Sequence, residues 1–281
     1  MLARQIPKIA PEESLAAGRS VDELPVRSPN ANVKIPLSDV KMPDYRAAFY
    51  SQYHRLTSSD RQMVVSKSTE KQYLSRWKHH LPNDRDGHVL DIGCGSGDFL
   101  LTLKNIGYRS LWGLDLNERE VGLAQERGLV NVNCGGIELL ASFSDGFFSA
   151  VSALNVFEHL KKDELLEALR LCKLKLAKGG KLIIVVPNAV SPFGGTTRYW
   201  DFSHEQSFTP ASWRQLATLF EYEDLSFEEY GPIGHSAVGI MRVIAWNCIK
   251  LGLDAYSYVE VARPRDSSRV YTADMKVILT K

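Results

Sequence analysis

Val89-Leu90-Asp91-Ile92-Gly93-Cys94-Gly95-Ser96-Gly97-Asp98-Phe99-Leu100 is the stretch that decides the fold. An apolar run meets an acid, three glycines follow at alternate positions, and the chain turns apolar again. This order predicts a buried strand, a tight loop and the start of a helix. Glycines at such a turn allow positive φ and let a ligand approach bare backbone. The helix start adds unpaired N–H groups and the positive end of a dipole.

A dinucleotide loop reads G-x-G-x-x-G and seats a pyrophosphate on the helix N-terminus. Here Asp98 stands where the third glycine would fall, and an acid there repels a pyrophosphate. That disfavours a nicotinamide oxidoreductase. The spacing D-x-G-x-G-x-G instead resembles the first motif of class I S-adenosylmethionine-dependent methyltransferases. Their cofactor carries an amine, a carboxylate and a sulfonium but no phosphate.

Working outward, Tyr73, Leu74, Trp77 and Leu81 fall on one stripe of a helix over about 69–80, which would cover one sheet face. The strand is expected at 88–92, with its helix running to about 106. A second strand, 110–115, ends in Asp115, 18 residues beyond Gly97 and close to the ~20 expected of a ribose-binding acid. A helix over 118–127, a strand over 129–133, a strand over 148–154 and a helix over 162–176 follow. Gly179-Gly180 reads as that helix's stop, before a strand over 181–186. The alternation predicts a parallel, doubly wound sheet.

The resemblance extends over about 88–188 through Asp91/Gly93/Gly95/Gly97, Asp115, the Asn155–Leu160 junction and Lys178-Gly179-Gly180 before an apolar strand. It implies an α/β fold: a Rossmann-like, doubly wound seven-stranded sheet, mostly parallel with one antiparallel strand, and helices on both faces. Residues 225–230 and 275–280 would supply the last two strands. It implies S-adenosyl-L-methionine as cofactor and S-adenosyl-L-homocysteine as product. The matching positions, Asp91, Gly93, Cys94, Gly95, Gly97, Asp115, Leu116, Gly136, Ile137 and Asn155, are then cofactor-binding. Asp115 would take the ribose hydroxyls, Gly136 and Ile137 would lie beside the adenine, and Asn155 at the methionine end.

Residues 189–212 form a long segment after the fifth strand, on the ligand-binding edge of such a sheet. A loop of this length in a compact domain, rich in Arg198, Tyr199, Trp200, Asp201, His204 and Glu205, reads as functional. Arg-Tyr-x-Asp-Phe-x-His-Glu followed by Phe-Thr-Pro resembles a subgroup associated with bacterial surface-polysaccharide and O-antigen biosynthesis. Arg198, Tyr199, Asp201 and Glu205 are its substrate candidates, and a helix follows over 210–219 with Thr209 as N-cap. Methyl transfer to a hydroxyl needs proton removal. His159 and His204 are the candidate bases, with Asp201 or Glu205 as orienting carboxylate for His204. Glu158-His159 also resembles the junction of ubiquinone-type O-methyltransferases, but Asn155 stands where those carry a first glutamate, so no metal is assigned. The leading expectation is O-methylation of a sugar hydroxyl or surface-glycan intermediate. A quinone, phenol or other small metabolite is the alternative acceptor, and a non-catalytic cofactor-binding module the alternative of another class.

The 281 residues are 44% hydrophobic with a net charge of +1, enough for one sizeable core and no electrostatic case for nucleic acid. No Asn/Asp-Pro-Pro-Tyr/Phe motif follows the fourth strand, which also argues against nucleic-acid methylation. Four scattered cysteines form no C-x-x-C pair, which fits a reducing, cytoplasmic setting. No apolar run reaches the ~20 residues of a membrane span. Pro7, Pro11, Pro25, Pro29 and Pro36 mark residues 1–42 as an arm, leaving 43–281 as the methyltransferase domain. A helix over 44–58 places Tyr45, Phe49, Tyr50 and Tyr53 near one face, to pack on the domain, with Tyr50 and Tyr53 as alternative lid residues. An apolar helix, 237–253, sits in an insertion of about 234–265. Packing or a homodimer contact is favoured there over peripheral membrane contact.

Overall fold

The computed structural model describes residues 66–261 and 269–281. The arm expected at 1–42 and the aromatic helix expected at 44–58 lie outside the described residues. The chain order is α1 (Lys67–Trp77), β1 (Val89–Ile92), α2 (Asp98–Asn105), β2 (Leu111–Asp115), α3 (Glu118–Glu126), β3 (Val132–Cys134) and β4 (Phe148–Leu154). Then come α4 (Lys162–Lys175), β5 (Leu176–Pro187), α5 (Gly194–Tyr199), α6 (Pro210–Leu219), β6 (Asp224–Glu229), α7 (Ala237–Val261) and β7 (Asp274–Thr280). Short 3-10 turns cover Ile137–Ser142 and Phe157–His159.

The seven strands lie in the order β3-β2-β1-β4-β5-β7-β6. β1 pairs in parallel with β2 and β4, β2 with β3, and β4 with β5, whereas β7 runs antiparallel to both β5 and β6. This is the mostly parallel sheet with one reversed strand that the sequence implied. The order reverses beside β1, and open sheets bind ligands at such a point, at the carboxyl ends of the strands.

Central strands are buried on both faces, as parallel sheets require, and β1 has no exposed position. Alternation along β5 shows how one strand serves two cores. Leu182, Ile184 and Val186 enter the cluster under α4 and α6, with Leu169, Phe157 and Trp213. Ile183 and Val185 enter the opposite cluster, with Trp77 of α1, Phe99 and Leu103 of α2 and Val121 of α3. α6 starts as expected: Thr209 accepts from the Ser212 N–H at 3.0 Å, and Pro210 fills the first helical position.

Three boundaries differ from the sequence reading, one of them the end of α7, which runs to Val261 and not to 253. α4 ends at Lys175, and β5 already begins at Leu176, so Gly179 and Gly180 lie within the strand's span. There the pairing slips from Phe148↔Leu176 to Ala150↔Lys181, and Gly179 takes φ +73° while its N–H reaches the Lys281 carbonyl at 2.6 Å. The glycine pair serves a bulge, the other common use of left-handed backbone. β3 begins at Val132 because Gly128, with φ +85°, closes α3 and Leu129 folds back into the core.

Candidate active site

The glycine loop has the backbone its spacing predicts. Gly93, Gly95 and Gly97 have φ of +69°, +52° and +84°. A Cβ on Gly93 would meet Val156 Cγ2 at 2.4 Å, and one on Gly97 would meet Leu129 Cδ1 at 2.2 Å. Gly95 has only a Glu120 oxygen at 3.8 Å, so its surface is open to a ligand. Arg127 holds the loop from beneath, donating to Ser96 O at 2.6 Å and pairing with Asp98 at 2.7 Å. The acid that argued against a pyrophosphate is thus an anchor for the loop.

Asp115, at the end of β2, accepts from Gly95 N at 2.7 Å through Oδ2 and from Asn117 N at 2.8 Å through Oδ1. The carboxylate fixes the glycine loop and keeps further lone pairs able to accept from a ligand's hydroxyls. Asp91 is buried under the same loop and accepts from Ser152 Oγ at 2.6 Å. Burial lifts its pKa to about 7 despite that bond, and nearby Asp115 adds to the rise. A cationic ligand would favour its charged form. Cys94 is buried and Leu116 exposed. Gly135 donates to Asp115 O, and Gly136 to Glu138 Oε1 at 2.9 Å, ahead of the turn that starts at Ile137. Asn155, just past β4, has φ +57°, a strained conformation that asparagine tolerates and that collects at functional sites.

Beyond Asn155, buried Phe157 anchors a turn that carries Glu158 and His159. The segment 189–207 is closed at its base. Ala189 N donates to Phe208 O and Phe208 N to Pro187 O, while the fully buried Asn188 amide donates to Val270 O and Thr272 O. The N–H groups of Glu205 and Gln206 donate to the Glu158 carbonyl at 2.7 and 3.1 Å, and Gln206 Nε2 to Leu160 O at 2.8 Å. These bonds press His204 against His159, with ring centroids 4.7 Å apart at an interplanar angle of 67°.

The bonds fix both imidazole tautomers. Ser203 Oγ donates its only proton to Asp201 Oδ1 at 2.6 Å, so His159 Nδ1–H donates to Ser203 Oγ at 3.0 Å. His204 Nδ1 lies 3.0 Å from the Thr197 carbonyl and must also carry a proton. A neutral ring bonded in this way has its proton on Nδ1 and its lone pair on Nε2. Burial, helped by His204, presses the His159 pKa down to about 4, so the ring is neutral at pH 7. Asp201 is pushed up by burial, but Ser203 and the two imidazoles hold it below the usual carboxylate range. Glu158 is 1% exposed and, among the described residues, its Oε2 has no hydrogen-bond partner. Burial lifts its pKa to about 8, with Asp274 and Asp201 adding to the rise against a backbone hydrogen bond. An orphaned buried acceptor costs ~1–3 kcal/mol. Ligand atoms of Glu158, His159 and His204 lie within 4.8 Å of one another.

The predicted substrate residues divide. Arg198 donates to the Glu205 carbonyl at 2.9 Å and lies over the Tyr199 ring, bracing the loop. Asp201 orients His159 through Ser203. It does not hydrogen-bond His204, whose Nδ1 is taken by Thr197, because the turn closed by Ser203 N on Asp201 Oδ1 aims that carboxylate at Ser203. Tyr199 is 78% exposed, beside Trp200 at 81% and Phe202 at 77%. Ser152, Ser203, Thr197 and Asn188 were missed, because short polar residues carry no signal until a partner distant in sequence meets them.

A seven-stranded sheet with one reversed strand, a three-glycine loop after β1 and an acid after β2 define a class I S-adenosylmethionine-dependent methyltransferase. A family model described as a methyltransferase domain matches residues 66–227, and the chain belongs to that family. The protein is an enzyme that uses S-adenosyl-L-methionine and leaves S-adenosyl-L-homocysteine. Similar solved structures include a SAM-dependent methyltransferase from Archaeoglobus fulgidus, with TM-score 0.59, 23% identity and coverage of 83% of this chain and 100% of that one. Another, from Thermotoga maritima, has TM-score 0.53, 19% identity and coverage of 83% and 97%. At these identities the likeness is one of fold. None of the curated proteins matches the chain.

Proposed function

We propose that this enzyme methylates a hydroxyl oxygen, and that the acceptor is a sugar or surface-glycan intermediate. The observation that carries the hydroxyl reading is the pair of imidazoles, His159 and His204, packed ring against ring after β4 with Nδ1 of each engaged by oxygen, an arrangement suited to activating an O–H either directly or through a bound ion. In-line displacement needs nucleophile, methyl carbon and sulfur held collinear, and positioning supplies much of the acceleration. The cofactor supplies the electrophile and the leaving group. The cluster after β4 is where the acceptor proton would be lost, beside the strand that carries the glycine loop.

The sugar reading draws support from the loop surface. Phe193, Tyr199, Trp200 and Phe202 are each more than 70% exposed. Aromatic faces presented this openly suit the C–H face of a sugar ring, with polar groups at the margin reading its hydroxyls. A quinone would instead call for an enclosed apolar pocket.

The test is transfer of labelled methyl from S-adenosylmethionine into fractionated extract of the source cells, with Asp115→Ala as control. Label in the polysaccharide or nucleotide-sugar fraction is the expected result. Label confined to the organic phase would transfer the assignment to a quinone or lipid acceptor.

A further inference from the structure

We infer that Glu158, His159 and His204 form a binding site for one divalent transition-metal cation. The site follows β4, at the carboxyl edge of the sheet, and deepens the hydroxyl-methylation reading, on which its catalytic role rests. The sequence reading assigned no metal because Asn155 replaces a carboxylate before Glu158. The fold supplies a different third donor, His204, brought in from 46 residues along the chain by the two N–H bonds to the Glu158 carbonyl.

Three observations converge. One ligand atom from each residue lies within 4.8 Å of the others. A tetrahedral site with bonds of ~2.1 Å places its ligands ~3.4 Å apart, so each side chain closes by under about 1 Å on binding. Both histidines have Nδ1–H engaged by oxygen, Thr197 O for His204 and the Ser203–Asp201 pair for His159. This is the outer arrangement that orients metal-ligating imidazoles. Among the described residues Glu158 Oε2 is buried with no hydrogen-bond partner, so the carboxyl has an oxygen to offer an ion, which would displace its proton. A cation there would satisfy the oxygen that the protein itself leaves unmatched.

The donor set defines the ion. Two imidazoles and one carboxylate suit Zn2+, Fe2+, Co2+ or Mn2+, whereas Mg2+ and Ca2+ take all-oxygen sites. Three protein ligands leave a position open for the acceptor. With the ion bound, the acceptor oxygen occupies that position and its proton passes to solvent water, since coordination lowers the pKa of a bound O–H. An oxygen lone pair then forms the new bond to the methyl carbon. The carbon–sulfur bond breaks with its electron pair going to sulfur, which yields S-adenosylhomocysteine. In this arrangement the histidines hold the ion and the protons of Nδ1; they do not take the acceptor's proton.

The experiment uses the full chain, stripped with chelator and titrated with Co2+, following the visible absorption of the ion. Zn2+ calorimetry gives a second readout. Cys134→Ser and Cys248→Ser remove exposed thiols that compete for either metal. The expected result is one Co2+ per chain, bound at least tenfold more weakly in His204→Ala and in Glu158→Gln. S-adenosylhomocysteine affinity within twofold of the parent certifies the fold of each variant. Should Glu158→Gln fail that check, His204→Ala, on the loop, carries the test. A protein that binds S-adenosylhomocysteine but takes up no Co2+ overturns the site, as does uptake undiminished in a folded variant. Methyl transfer is measured separately. Full activity after chelation overturns the ion's role in transfer and leaves the hydroxyl reading standing. Stoichiometric Co2+ with no transfer to any hydroxyl acceptor supports the site and overturns that reading.

Discussion

Asp91 and Asp115 are both acids at strand ends, and the structure gives them different work. Asp115 binds two backbone N–H groups, each a charge-assisted bond worth ~1.5–3 kcal/mol. We propose that Asp115 also accepts from the ribose hydroxyls; Asp115→Ala would then release both the glycine loop and the ribose, and S-adenosylhomocysteine affinity should fall by at least about tenfold by calorimetry. Unchanged affinity would remove the ribose role. Asp91 bears on stability. Its folded pKa, about 7, lies above its unfolded value, so between about pH 4 and 7 the folded state binds more protons than the unfolded state. Its contribution therefore falls as pH rises through that window and is flat above it. Thermal melts of the ligand-free protein from pH 5 to 8 should show a shallower decline in Asp91→Asn than in the parent. A steeper decline would reverse the assignment. The types and places of these acids were legible in the sequence. The proton on Asp91 was not, because it depends on burial beside Ser152 and Asp115.

The elements divide in the same way. Glycines at alternate positions foretold a loop of positive φ, but only packing says what each one avoids. Gly97→Ala combines a φ of +84° with a contact of 2.2 Å on Leu129 Cδ1, whereas Gly107→Ala has a φ of +97° and nothing within 4 Å. Gly97→Ala should therefore destabilise by ~1–3 kcal/mol more than Gly107→Ala in denaturant unfolding. Equal losses would show that backbone strain alone matters. In the segment 189–212 the sequence marked His204 and Asp201, yet it offered no link from Asp201 to His159. Ser203 makes that link. Ser203→Ala should lower kcat by ~10-fold or more while leaving cofactor affinity unchanged, since it frees the His159 ring without touching the glycine loop. A fall in cofactor affinity of similar size would mean that the loop, and not the ring, had moved.

At the scale of the whole molecule the sequence reading fares unevenly. The parallel, doubly wound frame followed from the alternation of apolar runs with helical stripes, and β7 between β5 and β6 matches the single reversal that the family resemblance implied. The apolar helix of the insertion is present as α7, between the adjacent antiparallel strands β6 and β7. Its apolar circumference suggested packing on the domain or a homodimer contact, and Val238, Ile240, Met241, Ile244, Ile249 and Leu251 are each more than half exposed. Among the described residues, no helix is long and apolar enough to cross a membrane. Trp246 Nε1 and Lys250 Nζ both reach Glu229 Oε2, at 3.0 and 2.8 Å, so the side of α7 that carries Trp246 and Lys250 faces the sheet edge. A homodimer through the outer side predicts concentration-dependent self-association in sedimentation velocity, abolished by Met241→Glu with Ile244→Glu. A parent that sediments as a monomer at every concentration would end that expectation.

By itself the sequence determined the parallel α/β frame, the glycine loop, both strand-end acids and the two histidines. Those follow from local rules: the period of apolar residues, the backbone freedom of glycine and the spacing within one βαβ unit. The tertiary structure decided which nitrogen of each histidine holds a proton, that Asp201 serves His159, and that Glu158 is buried with an unmatched oxygen. It also decided that α7 turns an apolar side outward. These properties depend on contacts between segments far apart in the chain, and on the loss of water around them, neither of which a local pattern records.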